Sequence, residues 1–276
     1  MIAHSLTKPL RAAVAALAAA LLFPLTAGAA DEKDKDAKPL RALYITGGCC
    51  HDYTKQKKII SEGVSARAKV EWTIIQEGGT SSNHRVSVYE KPDWAKGYDV
   101  VVHNECFGAV SDKDFIGRVV APHRNGTPAV VIHCSMHTFR DLKSDEWRET
   151  IGVTTRSHGP QQPLDVKNLK PDHPIMTGFP SVWKTGNEEL YAIEKIWPDT
   201  TPLAQAYGVD NKRDHAVIWT HTNGKTRVFG TTLAHHNSTM EDHVYLDMLT
   251  RGLLWACDKL EDDGSAKAGY GASAAK

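Results

Sequence analysis

From residue 40 onward, short and nearly continuous apolar runs alternate with longer segments whose apolar residues recur at helical spacing. Arg41-Ala-Leu-Tyr-Ile-Thr46, ending in Gly47-Gly48, predicts a first buried strand. Lys55 to Ala68 predicts a helix, Val70 to Gln76 a second strand, and Glu77 to Lys96 a polar, loop-rich stretch. Tyr98-Asp-Val-Val-Val-His103 predicts a third strand. Ser111 is expected to cap the next helix, with Asp112 and Asp114 in its first turn, where carboxylates suit the helix dipole. After Asn125-Gly126, the run Pro128-Ala-Val-Val-Ile-His133 predicts a fourth strand. Strands apolar through their whole body are buried on both faces, so this half predicts a mostly parallel sheet covered by helices.

The second half changes character. Leu164 to Leu169, Leu203 to Tyr207, Ala216 to Thr220 and Lys225 to Leu233 predict further β segments, with Asn223-Gly224 as a hairpin turn. These form a β-rich extension of one α/β domain spanning 40–260. An amphipathic helix from Asp242 to Leu260 closes it, and the Gly/Ala/Ser-rich tail, 261–276, is expected to be disordered.

Residues 1–30 predict a secretory signal peptide. Lys8 and Arg11 precede an apolar run, Ala12 to Leu25, too short for a comfortable membrane span, and small residues stand before Asp31. Cleavage after Ala29 or Ala30 leaves a solvated linker, 31–39, and an expected periplasmic or secreted protein with no stable membrane insertion. Charge adds an exclusion. Lys plus Arg total 33 and Asp plus Glu total 33, so the chain lacks the cationic surplus of a sequence-independent nucleic-acid binder. Histidine, at 14 residues, is the unusual abundance, and neutral imidazole both ligates metals and moves protons near neutral pH.

In an open parallel sheet, ligands bind beyond the carboxyl ends of the strands. Four predicted strands end in His: Cys49-Cys-His51-Asp52, His103-Asn-Glu105-Cys106, His133-Cys134-Ser-Met-His137, and His235-His236-Asn237. Four such ends on one rim predict a shared polar site. His51-Asp52 also suits a helix cap, His103 with Glu105 suits either a ligand pair or a buried hydrogen-bonded pair, and His133 needs a buried partner. Cys134, at a strand-to-helix turn, stands where a nucleophile would be exposed, although the Gly-x-nucleophile-x-Gly frame is absent. His158, His173, Glu188 and Glu189 are expected on loops that form a lid. The five cysteines, Cys49, Cys50, Cys106, Cys134 and Cys257, leave at least one thiol unpaired, and Cys257 reads as a core residue.

Several motifs occur in order: Thr46-Gly-Gly-x-x-His51-Asp52, the strand ending in His133, Asp172-His-Pro-Ile-Met-Thr-Gly178, Glu188-Glu-Leu-Tyr191, Gly224-Lys-Thr-Arg-Val-Phe-Gly-Thr-Thr-Leu-Ala-His235, and Arg251-Gly-Leu-Leu-Trp-Ala256. Together they resemble the ThuA-like (trehalose utilisation) family over Leu40 to Leu260. The resemblance implies a flavodoxin-like three-layer sandwich similar to class I glutamine amidotransferases, and a role in sugar catabolism beside oxidoreductases that make 3-keto-sugars.

The leading expectation is therefore an exported enzyme acting on a glycoside or 3-keto-glycoside by isomerisation, elimination or hydrolysis. His133, His235, Glu105 and Cys134 are its candidate catalytic residues. His51, Asp52, His137, His158, Glu188, Trp219 and His236 are its candidate contacts to a small-molecule carbohydrate. A divalent metal (Zn, Mn or similar) held by His51, His103, Glu105, His133 and His235 would supply an electrophile for the enolate that forms next to a carbonyl. The competing expectations are a non-catalytic carbohydrate-binding protein, whose Trp94, Trp147, Trp183, Trp197, Trp219, Tyr191 and Tyr207 would stack on sugars, and a Cys134-dependent hydrolase.

Overall fold

The computed structural model describes residues 1–3 and 37–272. All but the first three residues of the expected signal peptide and most of the expected linker lie outside the described residues, as do the last four residues of the tail. Among the described residues no helix is long and apolar enough to cross a membrane.

The first half follows the apolar pattern closely. It runs β1 (Leu40–Gly48), α1 (Tyr53–Ser65), β2 (Val70–Glu77), β3 (Val100–Cys106), α2 (Lys113–Arg124), β4 (Ala129–Ile132) and α3 (Glu146–Ile151). The cap of α2 is Asp112 rather than Ser111: its carboxylate accepts from the Phe115 N–H at 2.9 Å. The second half runs β5 (Val153–Asn168), β6 (Val182–Ile196), β7 (Thr200–Gly208), β8 (Arg213–Asn223), β9 (Thr226–Thr231), α4 (Asn237–Glu241) and α5 (His243–Ala256). The Asn223-Gly224 hairpin joins β8 to β9, with Asn223 paired to Thr226.

All nine strands form one sheet, in the order β2-β1-β3-β4-β9-β8-β7-β5-β6. The pairings from β2 to β9 are parallel. Those from β9 to β6 are antiparallel. The expectation of a mostly parallel sheet is thereby corrected to a mixed one, and the β-rich extension is the other half of the same sheet. The reason is connectivity. Parallel neighbours need a long crossover, here supplied by helices, whereas most strands after α3 are joined by turns too short for one.

Side chains alternate across the strands. Ala42 and Tyr44 of β1 pack with α1 and α5 on one face, and Leu43 and Ile45 pack with α2 and α3 on the other. Helices thus cover both faces of the parallel half. The tail is a second correction. Residues 261–272 run back over the domain: Gly271 bridges Ala68, and the Tyr270 carbonyl accepts from the Lys69 N–H at 3.0 Å.

Candidate functional site

Three turns at the carboxyl ends of the parallel strands β1, β4 and β9 bring the site together. At the end of β1 the chain passes through Gly47, Gly48 and Cys50, all with positive φ. A Cβ on Gly47 would sit 2.0 Å from the Glu77 carbonyl oxygen, so only glycine lets the turn close against β2. A short 3-10 turn, His133–Met136, follows β4, with His133 itself at φ 44°. Beyond β9, Ala234 takes φ 81° just before His235. Non-glycine residues in this region are costly and persist where the surroundings hold them. Cys50, His133 and Ala234 each precede or carry one of the same three imidazoles.

Those imidazoles belong to His51, His133 and His235. Their ring centroids are 4.8, 4.8 and 5.3 Å apart, and one nitrogen from each lies within 4.8 Å of the others. His133 Nδ1 is 2.6 Å from the Thr232 carbonyl oxygen. That oxygen only accepts, so Nδ1 carries the proton and Nε2 is turned toward His235, at 3.3 Å from its Nδ1. Glu189 joins the group from β6. Its Oε2 is 3.2 Å from His235 Nδ1 and 3.6 Å from the Nε2 atoms of His133 and His158. Tyr191, two residues along the same strand, stacks on His137 with centroids 4.1 Å apart and on His158 at 5.6 Å. Gln161 of β5 ties His235 to His236, its amide nitrogen 2.8 Å from His235 Nε2 and its oxygen 3.1 Å from His236 Nε2.

Burial and charge divide these groups. Desolvation, then the neighbouring His133 and His235, lowers His51 to about 3, and its Nε2 is buried without a hydrogen-bond partner. Desolvation likewise lowers His137 to about 3. His235 is raised, chiefly by its hydrogen bond to Glu189. Glu189 is held well below the usual carboxylate range, because the His133 and His235 imidazoles beside it outweigh its desolvation. Imidazoles kept neutral by burial and an imidazole whose proton Glu189 favours therefore stand side by side, and the cluster borders one pocket.

That pocket encloses about 380 Å³, within the span of roughly 300–1,000 Å³ typical of small-molecule sites. His51, His137, His158, Glu189, Tyr191 and Arg140 stand on its wall. A larger groove, about 870 Å³, lies at the opposite end of the parallel strands and is lined by no histidine. Chemistry, not size, selects the smaller one.

Several sequence expectations need correction. His103 and Glu105 do not reach the three-histidine cluster. They alternate onto the α2 face of the sheet, fully buried, where His103 Nδ1 is 2.9 Å from Glu105 and Nε2 is 3.1 Å from His123. Trp219 is fully buried, and its indole donates to the Ile151 carbonyl, so it offers no stacking surface. Glu188, expected on a lid, is buried in β6 and accepts from the backbone N–H groups of Ala234 and His235. It holds the His235 turn, while Glu189, one residue on, faces the imidazoles. His158 likewise stands on a strand, paired with Tyr191. His173 caps the 3-10 turn Pro174–Met176. Asp52 caps α1 by accepting from the Lys55 N–H, and its other oxygen accepts from the Asn237 amide. Cys134 is bonded to Cys106 and buried, so no free thiol stands at the expected nucleophile position. Cys257 packs against the α5 side of the core with its thiol pushed up to about 12 by burial. Sequence reasoning missed Gln161, and it misplaced Glu189 on a loop. The run Glu188-Glu-Leu-Tyr191 carried the missing signal, because period-two alternation puts Glu189 and Tyr191 on one face.

A family model described as trehalose utilisation, ThuA, matches residues 41–256. Among solved structures, a ThuA-like protein from Parabacteroides merdae is 20% identical, with a TM-score of 0.61 over 85% of this chain and 97% of its own. Another from Bacteroides uniformis is 14% identical, with a TM-score of 0.59 over 83% of this chain and 96% of its own. A cytoplasmic protein from Salmonella typhimurium is 12% identical, with a TM-score of 0.51 over 79% and 99%. No curated protein sequence matches the chain.

Proposed function

The chain belongs to the ThuA (trehalose utilisation) family, and from that premise we propose that it is an enzyme moving a proton at the carbon beside the carbonyl of a 3-keto-glycoside. The family description supports a carbohydrate-related role. The observation that carries the chemistry is the position of Glu189 Oε2, which faces His133, His158 and His235 at 3.2–3.6 Å beside the pocket.

A carbonyl acidifies the adjacent carbon, so isomerisation or β-elimination needs a base there and an electrophile for the enolate oxygen. His158 is placed for the first task. Its Nδ1 donates to the Gly159 carbonyl at 2.9 Å, which leaves Nε2 free to accept the proton. Glu189 then stabilises the imidazolium, and His235 holds Glu189 from its other side. The Arg140 guanidinium on the pocket wall is placed for the second task. Tyr191 offers a ring whose stacking on His137 and His158 fixes both imidazoles. On the strength of the amino-terminal sequence, the same proposal locates the enzyme outside the cytoplasm.

One observation favours a divalent metal in addition. The unpartnered Nε2 of His51, with the nitrogens of His133 and His235 and the Glu189 carboxylate close by, is a donor set suited to Zn or Mn. Such an ion, when bound, would polarise the ketone oxygen as a Lewis acid.

Incubating the mature protein with disaccharides and their 3-keto derivatives in D₂O, followed by mass spectrometry with and without EDTA, tests the reading. Deuterium entering next to the ketone is expected, and is expected to be lost in His158→Gln. Tight sugar binding with no exchange or turnover would replace the enzyme with the carbohydrate-binding alternative. Metal-free protein with EDTA-insensitive turnover would remove the ion alone.

A further inference from the structure

That reading leaves four cysteines at the same rim unused. Cys49 is bonded to Cys50 in the turn after β1, and Cys106 at the end of β3 is bonded to Cys134 in the turn after β4. The two disulfides touch: Cys49 Sγ lies 3.9 Å from Cys106 Sγ. Exposure falls along the row. Cys50 is exposed, Cys49 is half-buried, and Cys106 and Cys134 are each only 5% exposed. All four stand on the pocket wall beside His51 and His137. The fifth cysteine, Cys257, is a separate free thiol on the core side of α5.

An inner disulfide shielded from solvent but in contact with an outer, exposed one has a defined chemical use, because exchange requires a thiolate to reach a disulfide sulfur. We propose that Cys50, Cys49, Cys106 and Cys134 form a thiol–disulfide relay, through which an external dithiol reduces the buried Cys106–Cys134 bond by way of the exposed Cys49–Cys50 bond. One thiolate of the dithiol attacks Cys50 Sγ. The Cys49–Cys50 bond breaks and its electron pair leaves on Cys49. The second thiolate of the dithiol attacks its own mixed disulfide, releasing Cys50 as a thiolate and the dithiol as a disulfide.

Cys49, already in contact with Cys106, then attacks that sulfur. The Cys106–Cys134 bond breaks, and Cys134 leaves with the electron pair and takes a proton. Cys50 finally attacks Cys49, re-forming the outer bond and releasing Cys106, which takes the second proton. One dithiol is oxidised and one inner disulfide is reduced, with the vicinal pair unchanged at the end. Because Cys134 follows His133, the relay sets whether the turn carrying that imidazole is cross-linked to β3.

The relay is tested without reference to any sugar reaction. Protein isolated without reductant, denatured and alkylated, is expected to show one free thiol, at Cys257. Cys134→Ser should let the Cys106 thiolate attack Cys49, so that peptide mapping finds a Cys49–Cys106 disulfide and a free Cys50. In the double variant Cys49→Ser with Cys50→Ser, reduction of Cys106–Cys134 in the folded protein by dithiothreitol should slow about ten-fold or more. This second variant retains the inner disulfide, so the proposal stays open to refutation should Cys134→Ser not fold. Equal reduction rates, absence of the Cys49–Cys106 peptide from folded Cys134→Ser, or isolated protein whose four rim thiols are all free and hold a bound zinc or copper ion would each overturn the relay.

Discussion

His51 is the site residue whose removal should lessen the loss of stability that acid causes. Its imidazole is pressed between His133 and His235, and burial with those neighbours lowers it from an ordinary 6.5 to about 3. Below pH 6.5 the unfolded chain takes a proton at this position and the folded chain refuses it, so stability falls as pH falls, until about pH 3. At pH 5 the unfolded imidazole is about 1.5 pK units into its protonated range. At 1.36 kcal/mol per unit this costs about 2 kcal/mol relative to pH 7.5. Residual solvent at the partly exposed ring cuts the figure to roughly 1–2 kcal/mol. His51→Gln cannot titrate and escapes this loss. Urea midpoints for both proteins at pH 7.5 and pH 5.0 measure it: the variant should gain roughly 1–2 kcal/mol on the wild type between the two conditions. Parallel stability curves would refute the reasoning, because His51 would then be as easily protonated in the fold as out of it.

Glu189→Gln is expected to lower turnover of the proposed 3-keto substrate roughly 10²–10⁴-fold, because His158 then loses the carboxylate that stabilises it as a proton acceptor. An NMR titration of the same variant should show the raised pKa of His235 falling back toward its ordinary range, since Glu189 is its main cause. Glu188→Gln should act through structure instead. It weakens the carboxylate's hold on the Ala234 and His235 N–H groups and should cost about 1–3 kcal/mol in thermal or urea unfolding. An unchanged melting curve would count against that clamp. Gly252→Ala places a Cβ 2.4 Å from the Phe229 ring where α5 crosses β9, so a loss of about 1–3 kcal/mol from overpacking is expected by urea unfolding.

How much of the site was legible depended on how local its cause was. The turns that deliver His51, His133 and His235 follow apolar runs short enough to be strands, and rim placement follows from parallel topology alone. The misassignment of His103 and Glu105 has a tertiary cause. They are spaced to share a face, but which face depends on the parity set by Val101 and Val102 in the packed sheet, and that parity sends them to the α2 side. The role of Glu189 was hidden because β6 lacks the uniform apolar run of the parallel strands: it is partly exposed and pairs irregularly with β5. The tail misled through composition, since Gly, Ala and Ser gave no sign of the backbone pairing that holds Tyr270 and Gly271 against the domain.

What the amino-acid order determined by itself was the α/β class, the family and the rim position of His51, His133 and His235 within a larger set of candidates, because each rests on local apolar periodicity or on a contiguous motif. The tertiary structure alone decided that the sheet is mixed, that Glu189 rather than Glu105 joins those imidazoles, and that Cys134 meets Cys106. The last two depend on contacts between residues 28 to 56 positions apart, which no local pattern encodes.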